Sequence, residues 1–107
     1  MQISISSRHG SLNEEMDGYI RDKLSKLSKI FERIESIAAT VELRPEQTLV
    51  EVLVNCEHKH DLVASDGAPS FHGAVDLAVH KMEGQLRRYK DKIQDRRRTP
   101  PMGGTPE

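Results

Sequence analysis

Tryptophan is absent from this 107-residue chain, cysteine occurs once, and only two tyrosines and two phenylalanines are present. The lone thiol, Cys56, has no intramolecular partner, so disulfides do not hold the fold and a reducing, cytoplasmic setting is expected. Apolar runs are short: Val52-Leu53-Val54 falls far below the roughly 20 residues that a membrane helix needs. No stretch pairs a charged start with an apolar leader segment. The aromatics Tyr19, Phe31, Phe71 and Tyr89 all fall at helical spacing among apolar residues, and no strand carries a pair of them. That argues against a sheet-surface platform for single-stranded RNA and assigns them to the core. The segment Thr99-Pro-Pro-Met-Gly-Gly-Thr-Pro-Glu107 has little to bury. Residues 1–97 are therefore expected to form a single α+β domain, with 98–107 a disordered Pro/Gly-rich tail. A domain this small has no room for a cleft between two lobes.

Signals for chemistry are missing as well. Serine, histidine and aspartate occur, but no spacing groups them as nucleophile, base and oxyanion donors, so the chain is not expected to be an enzyme. Gly103-Gly104 lies in the tail and not between a strand and a helix, so no phosphate-cradling loop exists and no cofactor is expected. Cys56, His58 and His60 have the period-two spacing that would align them on one side of a strand. A structural zinc needs a fourth ligand from elsewhere, and these residues read as a strand end and a turn rather than a metal site.

Net charge is also lacking, since 16 Lys and Arg face 17 Asp and Glu. The distribution is far from even. Arg21 to Arg33 holds five basic and two acidic residues, a local charge of +3. Lys81 to Arg98 holds eight basic and three acidic, or +5, whereas Glu35 to Asp66 holds seven acidic and two basic, or −5. Ordinary solvated faces would produce some of this contrast; a protein that turns one face to a polyanion would produce all of it.

The remaining pattern gives the elements. Gln2 to Ser7 alternates, with Ile3 and Ile5 on one side, as in a half-buried strand. Asn13, or alternatively Ser11 with Glu14, caps a helix whose stripe Met16, Tyr19, Ile20, Leu24, Leu27, Phe31 and Ile34 runs at spacings of three and four. On the same wheel Lys26, Lys29 and Arg33 fall within about 60° of one another, and Lys23 lies at the stripe's edge. Two alternating runs, Ile37 to Leu43 and Val50 to Cys56, flank Arg44-Pro45-Glu46-Gln47-Thr48 and predict an antiparallel hairpin. His60 to Asp66 is a weaker fourth strand. Ser70 caps a second long helix with the stripe Phe71, Val75, Ala78, Met82, Leu86, Tyr89 and Ile93. There Lys81, Arg88 and Lys92 share one flank within about 40°, and Arg87 and Lys90 take the other. The order β-α-β-β-β-α predicts two helices on one face of a four-stranded sheet, the basic stripes outward and Glu42, Glu51 and Glu57 on the opposite face.

Certain residues carry a further implication: Met1-Gln2-Ile3-Ser4-Ile5, Tyr19-Ile20-Arg21-Asp22-Lys23-Leu24 with Lys26-Leu27 and Phe31-Glu32-Arg33-Ile34, then Ala74-Val75-Asp76, Lys81, Gln85-Leu86 and Lys90-Asp91-Lys92. In order and spacing, over residues 1 to 95, the chain resembles the ribosome hibernation promoting factor and ribosome-associated inhibitor family. No single piece is diagnostic alone. The resemblance implies a fold like that of double-stranded-RNA-binding domains. It also implies a short-form translation inhibitor that occupies the mRNA and tRNA channel of the small ribosomal subunit under stress. The partners implied are the small subunit and its rRNA, with the protein a monomer off the ribosome.

The RNA-binding residues expected are Lys23, Lys26, Lys29, Arg33, Lys81, Arg87, Arg88, Lys90 and Lys92. Two departures stand out. Ser70-Phe71-His72 replaces the family's frequent Asp-Met-Tyr, and Gly84 stands where a basic residue precedes Gln-Leu. A generic double-stranded RNA-binding module and a protein-interaction regulator using the acidic sheet face are the rival readings.

Overall fold

The computed structural model describes residues 1–57 and 60–97, the last four of these by backbone alone. The proposed tail, residues 98–107, and His58 lie outside the described residues. Strand β1 (Gln2–Arg8) leads into helix α1 (Glu14–Ser25), a short helix α2 (Leu27–Ile30), strands β2 (Ile34–Leu43), β3 (Thr48–Cys56) and β4 (His60–Ala68), and helix α3 (Phe71–Arg97). The sheet order is β1-β2-β3-β4.

Of the two caps open to α1, Asn13 is used: its side chain accepts from the Met16 N–H at 2.8 Å, and Glu14, Glu15 and Asp17 occupy the first turn. That geometry satisfies one of the orphan amides at the helix start and sets negative charge against the positive end of the dipole. At α3 the Ser70 hydroxyl accepts from the Gly73 N–H at 3.0 Å, as its position after Pro69 predicts.

The expected single helix from Met16 to Ile34 is corrected in its second half. The chain kinks at Lys26, stops being helical after Ile30, and is extended by Phe31 (φ −141°, ψ 117°). Two hydroxyls explain the kink. Ser25 donates to the Asp22 carbonyl and Ser28 to the Ser25 carbonyl, both at 2.8 Å, and such back-bonding competes with the helical ladder. The sheet explains the ending, because Ile34 pairs with Cys56 and the Glu57 N–H donates to the Arg33 carbonyl at 3.1 Å. Phe31 and Ile34 are buried all the same, so the apolar spacing is satisfied by a helix that turns into a strand.

β1 pairs in parallel with β2 (Ile3 beside Ile37, Ile5 beside Ala39), a pairing that needs a crossover, and α1 supplies it. β2 to β3 and β3 to β4 are antiparallel, with Val41 opposite Val50 and Val52 opposite Ala64. Alternation then puts Ile37, Val41, Val50, Val52 and Val54 under the helices, where they meet Ile20, Leu24, Leu27, Val75, Met82 and Leu86, all 1% exposed or less. Each such side chain contributes about 1.5–3 kcal/mol by leaving water. The outer face is mostly small and polar, with Ser4, Ser6, Thr40 and Ser65 around Leu49, Leu53 and Val63.

The helices run in the same direction. Glu15 meets His72, Tyr19 meets Asp76, and Phe31 meets Tyr89, so contacts advance together along both segments. α3 also covers the free edge of β4: Lys81 Nζ donates to the Ser65 carbonyl at 3.2 Å, and Gln85 Nε2 to the Val63 carbonyl at 2.7 Å. These bonds occupy groups that would otherwise offer a pairing edge to another strand. Among the described residues no helix is long and apolar enough to cross a membrane.

Candidate nucleic-acid interface

Parallel helices collect charge at the two ends of the helical layer. At the end where both begin lie Glu14, Glu15, Asp17 and Asp76; toward the other lie Lys29, Arg33, Arg87, Arg88, Lys90 and Lys92. Cations near a helix C-terminus also oppose the negative end of its dipole, so the arrangement is locally favourable. The expectation of one cationic outer side and one acidic sheet face is thus refined into a polarity that runs along the helices. Glu57, expected on the outer sheet face, instead lies past the end of β3 and faces Arg33 at 3.8 Å. Glu42 is held by Arg44 at 2.6 Å, which keeps its carboxyl below the usual range, and Glu51 is exposed.

The nine expected RNA-binding residues separate into two groups. Four are tethered within the molecule. Lys23 lies 3.8 Å from Asp76 and over the Tyr19 ring, and Lys26 lies 3.8 Å from Asp22. Arg33 faces Glu57, and Lys81 lies 3.3 Å from Asp66. The Gly67 N–H and then Lys81 hold the Asp66 carboxyl below the ordinary range, so this aspartate is charged and engaged. The other five, Lys29, Arg87, Arg88, Lys90 and Lys92, form no ion pair among the described residues.

Two grooves lie beside the far half of α3. One, between α2 and α3, is lined by Lys29, Ile30, Phe31, Glu32, Arg33, Lys90 and Ile93, so three cations from two sides converge there around one carboxylate. The other lies on the β4 side and is lined by His60, Leu62, Gln85, Arg88, Tyr89 and Lys92. The wheel prediction that Arg88 and Lys92 share a flank is met. Lys81, on that same flank, is drawn instead to the β4 edge. Cations on a helix between two grooves that further cations line can grip phosphates on more than one strand.

The Sigma 54 modulation protein / S30EA ribosomal protein family matches residues 3–94. The chain belongs to that family. Its curated relatives include the ribosome hibernation promoting factor of Pseudomonas putida, 24% identical over 94 residues that make up 88% of this chain and 91% of that protein. Membership places the chain among binding proteins rather than enzymes. Among solved structures, a ribosomal subunit interface protein from Coxiella burnetii superposes with a TM-score of 0.78 at 21% identity, covering 85% of this chain and 99% of that one. The Thermus thermophilus Protein Y N-terminal domain gives 0.74 at 20%, covering 83% and 99%. These two likenesses establish the α+β fold.

Sequence reasoning missed two features of this candidate surface. The Gln85 to Val63 clamp has no periodic signature, because it depends on which strand is at the edge. The stacking of His60 on Tyr89 also went unseen, since the spacing of Cys56, His58 and His60 pointed to a strand side. In the structure β3 ends at Cys56 and β4 starts at His60, the two are paired across the hairpin, Cys56 is buried and His60 is exposed.

Proposed function

We propose that this protein is a ribosome-binding translation inhibitor that occupies the mRNA and tRNA channel of the small subunit and promotes hibernation under stress. It acts as a cytoplasmic monomer whose contacts are to rRNA. The observation that carries the reading is the set of five cations, Lys29, Arg87, Arg88, Lys90 and Lys92, that form no ion pair among the described residues, on and beside one helix half of an S30EA-family fold. An ion pair already formed inside the protein releases few counterions on binding RNA, whereas an unpaired cation releases nearly a full complement. Five contacts at about 0.7–0.9 counterions each predict a log-log salt slope of roughly −3.5 to −4.5 for binding to isolated small subunits. The acidic groups at the other end of the helices favour one orientation in a channel walled by phosphate.

Sedimentation of cell extract through a sucrose gradient, probed for the protein, tests the assignment, together with titration of purified small subunits across a salt series. A peak with ribosomal particles and a slope in this range support it. Absence from those particles, or a slope near zero, would overturn it.

A further inference from the structure

The His60 ring lies flat on Tyr89, with centroids 4.3 Å apart and planes 10° from parallel. Tyr89 is itself fixed by an edge-to-face contact with Phe31 at 5.4 Å and 76°, and Phe31 is buried in the core. The stack therefore has a rigid base and, among the described residues, an exposed top, because His60 is the first residue of β4 and open to solvent. Its partner across the hairpin, Cys56, is fully buried, which anchors the backbone beneath the ring. The ring borders the groove of about 610 Å³ that Arg88 and Lys92 also line, a volume within the range of small-ligand sites, about 300–1,000 Å³.

We propose that the open face of His60 is a stacking site for one unpaired RNA base, with Arg88 and Lys92 holding the phosphates on either side of it. Phosphate contacts alone would accept any duplex or strand of suitable spacing, whereas an aromatic face beside two cations selects a nucleotide splayed out of its helix. Every base has a π-face, so the site discriminates paired from unpaired nucleotides and not one base from another. The rest of the stack is built to bear that load, since the Phe31 and Tyr89 rings are already ordered and only the base loses freedom. The inference rests on the RNA-binding reading given above and adds to it a contact that is not electrostatic.

Two measurements test it on the full chain. In the first, wild type, His60→Ala and His60→Phe are titrated with small subunits over a salt series, with circular dichroism confirming the fold. Loss of a stacked base is expected to weaken binding by His60→Ala roughly 5- to 150-fold, at an unchanged salt slope, and His60→Phe is expected to restore it. In the second, a short single-stranded RNA carrying 2-aminopurine is the probe. Its fluorescence is expected to be quenched by wild type and His60→Phe but not by His60→Ala. Equal affinities in the first experiment, or equal quenching by all three proteins in the second, would overturn the stacking site while leaving the electrostatic reading intact. If wild type quenches the probe yet does not bind small subunits, the ribosomal assignment fails and the stacking site stands.

Discussion

The Tyr19 hydroxyl donates to the Asp76 carboxylate over 2.6 Å, joining α1 to α3 at the end where both helices begin. Beside it the Tyr19 ring meets His72 edge-on at 4.2 Å, His72 Nε2 lies 2.9 Å from Glu15, and Lys23 lies 3.8 Å from Asp76. The bond to Asp76, then burial, raises the Tyr19 ionisation above its usual value. Tyr19→Phe removes the hydroxyl and keeps the ring, so the helices stay packed. The expected result is a melting temperature lowered by only a few degrees, with the affinity for small subunits within about twofold of wild type, since this cluster lies at the opposite end of the helices from Lys29, Arg87, Arg88, Lys90 and Lys92. Thermal denaturation and subunit binding check the two halves separately.

Gly84 is an interior position of α3 at which an added Cβ would meet only the Arg88 guanidinium, at 3.8 Å. With no steric objection, the backbone entropy that glycine sacrifices becomes the deciding effect. Gly84→Ala is expected to stabilise the fold by about 0.5–1 kcal/mol, measured by chemical denaturation. Gly84→Arg, which adds a cation on the helix, is expected to tighten binding and steepen the salt slope by about 0.9.

Alkaline stability should be governed by Cys56. Burial, with lesser contributions from Asp61 and Glu35, pushes its thiol up to about 11 from an ordinary 9.0. Below the ordinary value the thiol is protonated in both folded and unfolded chains, and its contribution is fully present. Between these values the unfolded chain releases the proton and the folded one does not, so stability falls as pH rises from about 9 to about 11. Denaturation midpoints should decline over that window, less steeply in Cys56→Ala, with the ionisation of Tyr19 adding in the same direction. At pH 8 the native thiol should resist a thiol reagent that titrates it at once in denaturant.

Leu24 tests the core beneath the helices. It is fully buried with Ile20, Leu27, Met82 and Leu86, so Leu24→Ala should cost about 2–5 kcal/mol through lost burial and a residual cavity. A cost below about 1 kcal/mol in a denaturant titration would mean that the helices can close over the gap.

Much of the fold was legible because its signals are local. Asn13 and Ser70 cap where their side chains allow, and the alternation from Ile37 to Cys56 has one sense on one hairpin. The helix that ends at Ile30 was illegible past that point because Phe31 and Ile34 have the right spacing for a helix and the right burial for a strand. Only pairing with Cys56, which lies 22 residues away, decides between them. The candidate interface was half legible for the same reason. Helical wheels placed the cations on flanks, but whether a cation is free depends on partners such as Asp66, Asp76 and Glu57 that other elements bring to it.

That division between cations tethered by an ion pair and those that form none among the described residues gives the sharpest prediction, because cations of the same helix should fail in different ways. Replacing Arg87, Arg88 and Lys92 together by glutamate removes no core volume and breaks no ion pair among the described residues. The stability cost should be about 0.5 kcal/mol per site, with a few tenths more for negative charge toward the helix C-terminus. Binding should be abolished, since three attractive contacts to phosphate become repulsive, and inhibition of in vitro translation should go with it. Lys81→Glu should behave in the opposite way. It sets a second carboxylate where Lys81 Nζ lay 3.3 Å from Asp66 and opposite the Ser65 carbonyl, both acceptors, so the α3 to β4 clamp opens and the melting temperature falls. Its loss of affinity should be smaller than that of the triple variant, because Lys81 is already committed to Asp66. Glu51→Lys, on the outer sheet face, is the matched control and should spare both stability and inhibition. Circular dichroism, co-sedimentation with small subunits and a translation assay on the three proteins give the pattern. A folded triple variant that binds and inhibits like wild type would show that RNA is met by some other surface.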